Sequence, residues 1–253
     1  MGGGSVLKLP EHSGERLSRS PLILVAIQIT FEDLGDIARA DARAVQNVMG
    51  RTSWPGLFSN PILSGVLSAT GINQQPTRQG WRITSPDAFS AASIAPDSAT
   101  IETRAYPGWG TYSGHFSLLV GALAEVLDPQ QHLRLGLRYI NQVALPDWAT
   151  DWKEFIPPTL LGPLLDETLG PGITATEQRI VIDVDEGAHC LLRHGAFADS
   201  DGKSQYLLDY DVFGESQPAF EPRKIMEEAE RLHNVVRGLF RATITDKLYQ
   251  HLR

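Results

Sequence analysis

One cysteine in 253 residues, Cys190, leaves no internal disulfide and no cysteine cluster for structural zinc. That is the usage of a reducing compartment, and a cytoplasmic location is expected. The first twenty residues, MGGGSVLKLPEHSGERLSRS, hold no long apolar run. Neither a secretory signal nor a membrane anchor is expected there, and residues 1–20 read as a flexible leader. Positive charge is also short. Lys plus Arg number 22 against 30 Asp plus Glu, a formal net charge of -8, which disfavours whole-molecule attraction to nucleic-acid phosphates or anionic lipid. Missing too are G-x-S-x-G, a phosphate loop with its lysine, and G-x-G-x-x-G, so no nucleophile elbow or nucleotide cradle is expected, and no cofactor.

What is present is 42% hydrophobic and patterned, enough for a sizeable core. PLILVAIQITF (Pro21–Phe31) alternates Ile23, Val25, Ile27, Ile29 and Phe31 against less apolar neighbours, which predicts a strand with one buried face. A helix follows from Asp36 to a stop at Gly50, and Trp54 to Gln79, rich in Gly, Pro, Ser and Asn, reads as irregular. Three strands follow, near GWRIT, AFSAASI and TIETRAY. A helix in SGHFSLLVGALAEVLD closes the run, with Ser113 as its capping candidate. The second half repeats the order: HLRLGLRYINQVAL, a proline-interrupted helical stretch from Trp148 to Leu169, strands QRIVIDVDE, AHCLLRHGAF and QYLLDYDVF, and a last helix from Pro222 to the chain end. The reading is α+β: two pseudo-repeats of β-α-β-β-β-α, residues 21–130 and 131–253, forming one curved antiparallel sheet with helices on one face. By analogy this suggests a helix-grip or TATA-binding-protein-like fold in one continuous domain.

Period-two alternation then sorts side chains by face. Leu133, Leu135, Leu137, Tyr139 and Val143 make one side of their strand and Arg134 and Arg138 the other. Val181, Asp183 and Asp185 oppose Ile180, Ile182 and Val184; Asp209 and Asp211 oppose Leu208, Tyr210 and Val212. With the apolar sides under helices, Arg134, Arg138, Asp183, Asp185, Asp209 and Asp211 share the uncovered side. Three readings follow: a solvated salt-bridged face, a binding face for a partner protein or polar ligand through bidentate arginine, and a metal site of paired carboxylates. Tyr106 and Trp109, flanking the Pro-Gly of YPGWG, are further binding candidates. His189, Cys190 and His194 are close in sequence, but His189 and Cys190 face opposite ways and a zinc site would need two more ligands. His115 reads as a first-turn helical residue.

PLILVAIQITF, then YPGW (Tyr106–Trp109), RLGLRYIN and VIDVD (Val181–Asp185), in this order over nearly the whole chain, resemble a sporadically distributed bacterial family of about this length and of unknown function, with LRYIN its most specific mark. That resemblance carries no catalytic residues. It implies a mobile or defence-related setting, while the lack of a nucleophile, base or phosphate loop points to a partner in an operon-encoded complex. The expectation is therefore a non-catalytic interaction or regulatory subunit with a protein partner, using the sheet face or Trp54–Gln79, and with homo-oligomerisation open. The alternative is a metal-dependent hydrolase or nuclease acting through the four aspartates.

Overall fold

Alternating burial along the first strand shows how the sequence builds the sheet: Val25, Ile27, Ile29 and Phe31 are all but fully buried in β1 (Leu22–Phe31), while Ile23 is 44% exposed and falls outside the core. The computed structural model describes residues 7–10, 17–68, 71–146, 149, 151–185, 187–215 and 218–253, with backbone alone over 63–77. The remaining strands are β2 (Gly56–Ser68), β3 (Gly71–Thr84), β4 (Ser90–Ala95), β5 (Ser98–Thr103), β6 (His132–Ala144), β7 (Gln178–Asp185), β8 (Ala188–Ala198) and β9 (Ser204–Glu215). The helices are α1 (Arg39–Met49), α2 (Trp109–Val126), α3 (Pro158–Leu161), α4 (Pro222–Ala242) and α5 (Asp246–Leu252). The fold is α+β. Its antiparallel sheet has nine strands, in the order β2-β3-β4-β5-β1-β6-β9-β8-β7. Among the described residues no helix is long and apolar enough to cross a membrane.

By its sequence pattern Trp54–Gln79 is expected to be irregular. Most of it instead belongs to a long hairpin, β2 with β3, whose register shifts between Ile62 and Leu63. Pro61 and Pro76 hid it, because proline cannot donate to a ladder and marks edge strands or bulges. The hairpin gives the first half four strands after its helix rather than three. Two helix boundaries also differ. α2 starts at Trp109, behind Gly108 at φ +100°, so Ser113 lies inside the helix and donates to Gly110 O (3.2 Å) rather than capping it. The last helix breaks after Ala242, and Thr245 starts α5 by accepting from Leu248 N–H (3.2 Å).

The chain divides into two compact units, one of Met1–Val25, Leu137–Gly214 and Glu230–Arg253, the other of Ala26–Gly136 and Glu215–Ala229. In the second, α1 packs on α2, and Gln46, fully buried on α1, donates to Trp54 O (2.6 Å) and Gly56 O (3.0 Å). The two bonds tie the helix to the start of β2. Tyr112 on α2 donates to Ile101 O (2.7 Å) beneath a core of Ile27, Ile29, Ile94, Phe116 and Leu123.

In the first unit, α4 buries Leu232, Val236 and Leu239. Polar pins fix its position. His233 Nδ1 lies 2.9 Å from the Tyr139 hydroxyl, and Thr243 Oγ1, which donates to Leu239 O (2.9 Å), receives the buried Tyr210 hydroxyl. The described parts of the N-terminal stretch are held to the same unit: Leu7 N–H donates to Val184 O (3.1 Å), and Arg19 N–H to Leu252 O (3.0 Å). Gly238 makes room for this, since a Cβ there would stand 2.8 Å from the Leu9 Cβ.

Candidate functional site

Three strands of the first unit place the site. β8 and β9 are in register so that Arg193 faces Asp209, Leu191 faces Asp211 and His189 faces Phe213; β7 and β8 pair Arg179 with Arg193, Val181 with Leu191 and Asp183 with His189. Cys190, Leu192, Tyr206, Leu208, Tyr210 and Val212 are buried on the other side. Directly opposite residues share a face, so the uncovered side carries three cross-strand rows: Arg179–Arg193–Asp209, Val181–Leu191–Asp211 and Asp183–His189–Phe213.

The first row is the focus. Arg138 on β6 donates from Nε to Asp209 Oδ1 (2.8 Å) and from Nη2 to Oδ2 (2.7 Å), while Arg193 Nη1 reaches the same Oδ2 at 3.4 Å. The Asp209 side chain is only 3% exposed, whereas those of Arg138 and Arg193 are 43% and 36% exposed. One buried carboxylate therefore aims two half-exposed guanidinium groups outward. The hydrogen bond to Asp209 holds the Arg138 pKa above its ordinary value, with Asp211 adding a smaller charge effect. Arg138 Nη1 and Arg193 Nη2 have no hydrogen-bond partner among the described residues, so each can donate to an incoming acceptor. Beside Arg193 runs an open groove of about 420 Å³, lined by Thr176, Glu177, Gly195, Phe197 and Leu207. Gly195 permits its floor. A Cβ there would stand 1.8 Å from Thr176 O, where the Thr176 N–H bonds Ala196 O (2.8 Å) and its hydroxyl accepts from Ala196 N–H (3.0 Å).

The other residues singled out from sequence disperse. Asp183 lies on the uncovered face and bonds His189 Nδ1 (2.8 Å). Asp185 does not follow it: the β7–β8 register shifts between Asp183 and Asp185, and both Asp185 oxygens accept from Arg231 of α4 at 2.8 Å. Arg134 belongs to the other unit, its guanidinium folded over Gly136, where a Cβ would leave no space. Tyr106 and Trp109 are in that unit as well, with ring centroids 5.7 and 6.4 Å from Tyr112. Among the described residues no three His, Cys, Asp or Glu side chains converge as metal ligands. Cys190 is buried, and that burial, with Asp211 and Asp209 near it, pushes its thiol up to about 12, so it carries no thiolate at neutral pH. His115 stands edge-on to Trp54, 5.4 Å between ring centroids, and burial lowers its pKa.

Arg193 was missed in the sequence. Its signal was there, in strict alternation from His189 through Leu191.

His194 shares the buried face of Cys190, with no bulge between them, and it makes stability depend on pH. The Tyr206 hydroxyl donates to Leu160 O (3.1 Å), so it accepts from His194 Nδ1–H (2.9 Å), and Nε2 is a buried atom without a partner among the described residues. Burial lowers the His194 pKa from 6.5, and that of His132, whose buried Nδ1 is likewise unpartnered, shifts the same way. The unfolded chain then binds protons more readily, and this part of the stability is complete above 6.5 and lost as pH falls through that value toward the folded pKa values. Melting temperature is expected to drop between about pH 7.5 and pH 5.5, with a shallower drop in His194→Phe. An unchanged slope in that variant would exclude His194 as a source.

Comparison with protein-family models and with curated proteins finds no match to the chain.

Proposed function

We propose that this chain is a non-catalytic interaction subunit whose uncovered sheet face docks an acidic segment of a protein partner. The observation that carries the reading is the buried Asp209 carboxylate holding Arg138 and Arg193 with their remaining donors outward. Such a fork is pre-organised: fixing it costs little further entropy on binding, and its geometry matches a carboxylate. The cross-strand row is locally basic although the chain is acidic overall. Leu207 and Phe197 along the adjoining groove supply apolar contact for the same segment. A divergent duplication on a helix-grip or TATA-binding-protein-like plan stays part of this reading, with the β2–β3 hairpin adding one strand to the first half. The metal-dependent alternative loses support because Asp209 is engaged by arginines, Asp185 by Arg231 and Asp183 by His189.

The test is affinity capture from native-host lysate with mass spectrometry, using wild type beside Arg138→Lys/Arg193→Lys. Lysine keeps a cation over Asp209 but loses the fork. A partner retained by wild type, released by moderate salt and lost in the variant is expected, because charges at an interface set orientation and association rate. Equal retention by both proteins would remove the arginine row from the interface. Saturable Mn²⁺ binding abolished by Asp183→Asn would favour the metal reading instead.

A further inference from the structure

Among the described residues β7 ends the sheet and pairs as a strand with β8 alone, which leaves outer backbone groups as a template for another strand. Among the described residues, Leu7 meets that outer side at Val184, and at the other end the Gln178 side chain is held by Leu160 O (3.0 Å). Between them lies RIVID, Arg179 to Asp183. Edge strands are commonly blunted by proline, by charged side chains or by a covering loop; this stretch has no proline or lysine, and its two charges, Arg179 and Asp183, are of opposite sign. It exposes Ile180 by 36% on one face and Val181 by 66% on the other. Arg179 adds a charge conflict. It stands directly opposite Arg193, a destabilising like-charge pair, and has no acidic partner among the described residues.

We infer that two copies of this chain associate by pairing their β7 strands antiparallel about a two-fold axis at Val181. In that register Val181 faces Val181, Ile180 faces Ile182, and Arg179 faces Asp183 of the other copy twice, so every apolar side chain meets an apolar one and each charge its opposite. Moving the axis to Ile182 sets Val181 against Asp183; moving it to Ile180 sets Arg179 against Val181. The strand is thus self-complementary about one residue, as an isologous interface requires. The copy's Asp183 also supplies the anion that Arg179 lacks. A five-residue edge predicts reversible, concentration-dependent association.

Sedimentation equilibrium of the full chain reads it directly. Wild type is expected to rise from monomer to twice that mass with concentration. Arg179→Asp and Asp183→Arg each bring like charges together twice and are expected to remain monomeric alone. Mixed one to one they are expected to form a heterodimer, since each then offers the other what it lacks, and the double variant is expected to dimerise with itself. Heterodimerisation also shows that both single variants are folded. Wild type monomeric throughout overturns the inference; so does a dimer indifferent to these variants, or singles that fail to associate when mixed although circular dichroism shows them folded. The edge is independent of the partner-docking arginines: Arg138→Lys/Arg193→Lys is expected to dimerise as wild type does, so either reading can fail alone.

Discussion

Replacing Arg138 and Arg193 together by Gln is expected to lower the free energy of unfolding by about 2–3 kcal/mol, somewhat less than breaking a fully buried ion pair because both arginines are partly solvated. The cost lies with the residue left behind. Asp209 is 3% exposed at its side chain, and without the two guanidinium groups its charge is desolvated and uncompensated. From sequence alone, replacing Arg134 and Arg138 by Gln looks nearly neutral, since exposed ion pairs contribute little. The burial of Asp209 reverses that expectation for Arg138. Urea denaturation of wild type, the double variant and a triple variant that also carries Asp209→Asn checks the cause. Removing the stranded charge should recover most of the lost stability, and a triple variant no better than the double would mean that the arginines act through packing alone.

Leu232→Ala is expected to cost about 2–5 kcal/mol, the range for truncating a fully buried leucine, where lost transfer energy adds to the cavity left behind. Leu232 is 0% exposed, in line on α4 with Val236 and Leu239. Its neighbours cannot close around the gap easily, because α4 is pinned by the Tyr139–His233 and Tyr210–Thr243 hydrogen bonds. Thermal and urea unfolding both report it. A loss under about half a kcal/mol is the range of surface substitutions and would mean that the stripe is not core.

Much of this architecture was legible because burial and periodicity are local properties of a chain. The alternation in β1, the helical stripe of α4 and the opposed faces of β8 and β9 each follow from side chains two, three or four residues apart. The β2–β3 hairpin was not legible, since its prolines and small polar residues carry no alternation and its place at the edge imposes none. Nor was the separation of Asp185 from Asp183. A one-residue irregularity in register reverses a face, and the bonds from Arg231, forty-six residues away, complete the new arrangement.

The sequence by itself determined the α+β class, the strands and helices with regular patterns, and which side of β1, β6 and β9 is apolar, because these depend on neighbours along the chain. Strand order was decided only in three dimensions. β9 lies between β6 and β8, so Asp209 has Arg138 from one neighbour and Arg193 from the other. That placement turns an aspartate in an ordinary polar alternation into a buried anchor beneath two outward-facing guanidinium groups. Among the described residues the same order leaves β7 with one neighbouring strand and makes RIVID an edge. Neither property resides in the residues themselves, since burial and edge exposure depend on which distant strands the backbone hydrogen bonds bring alongside.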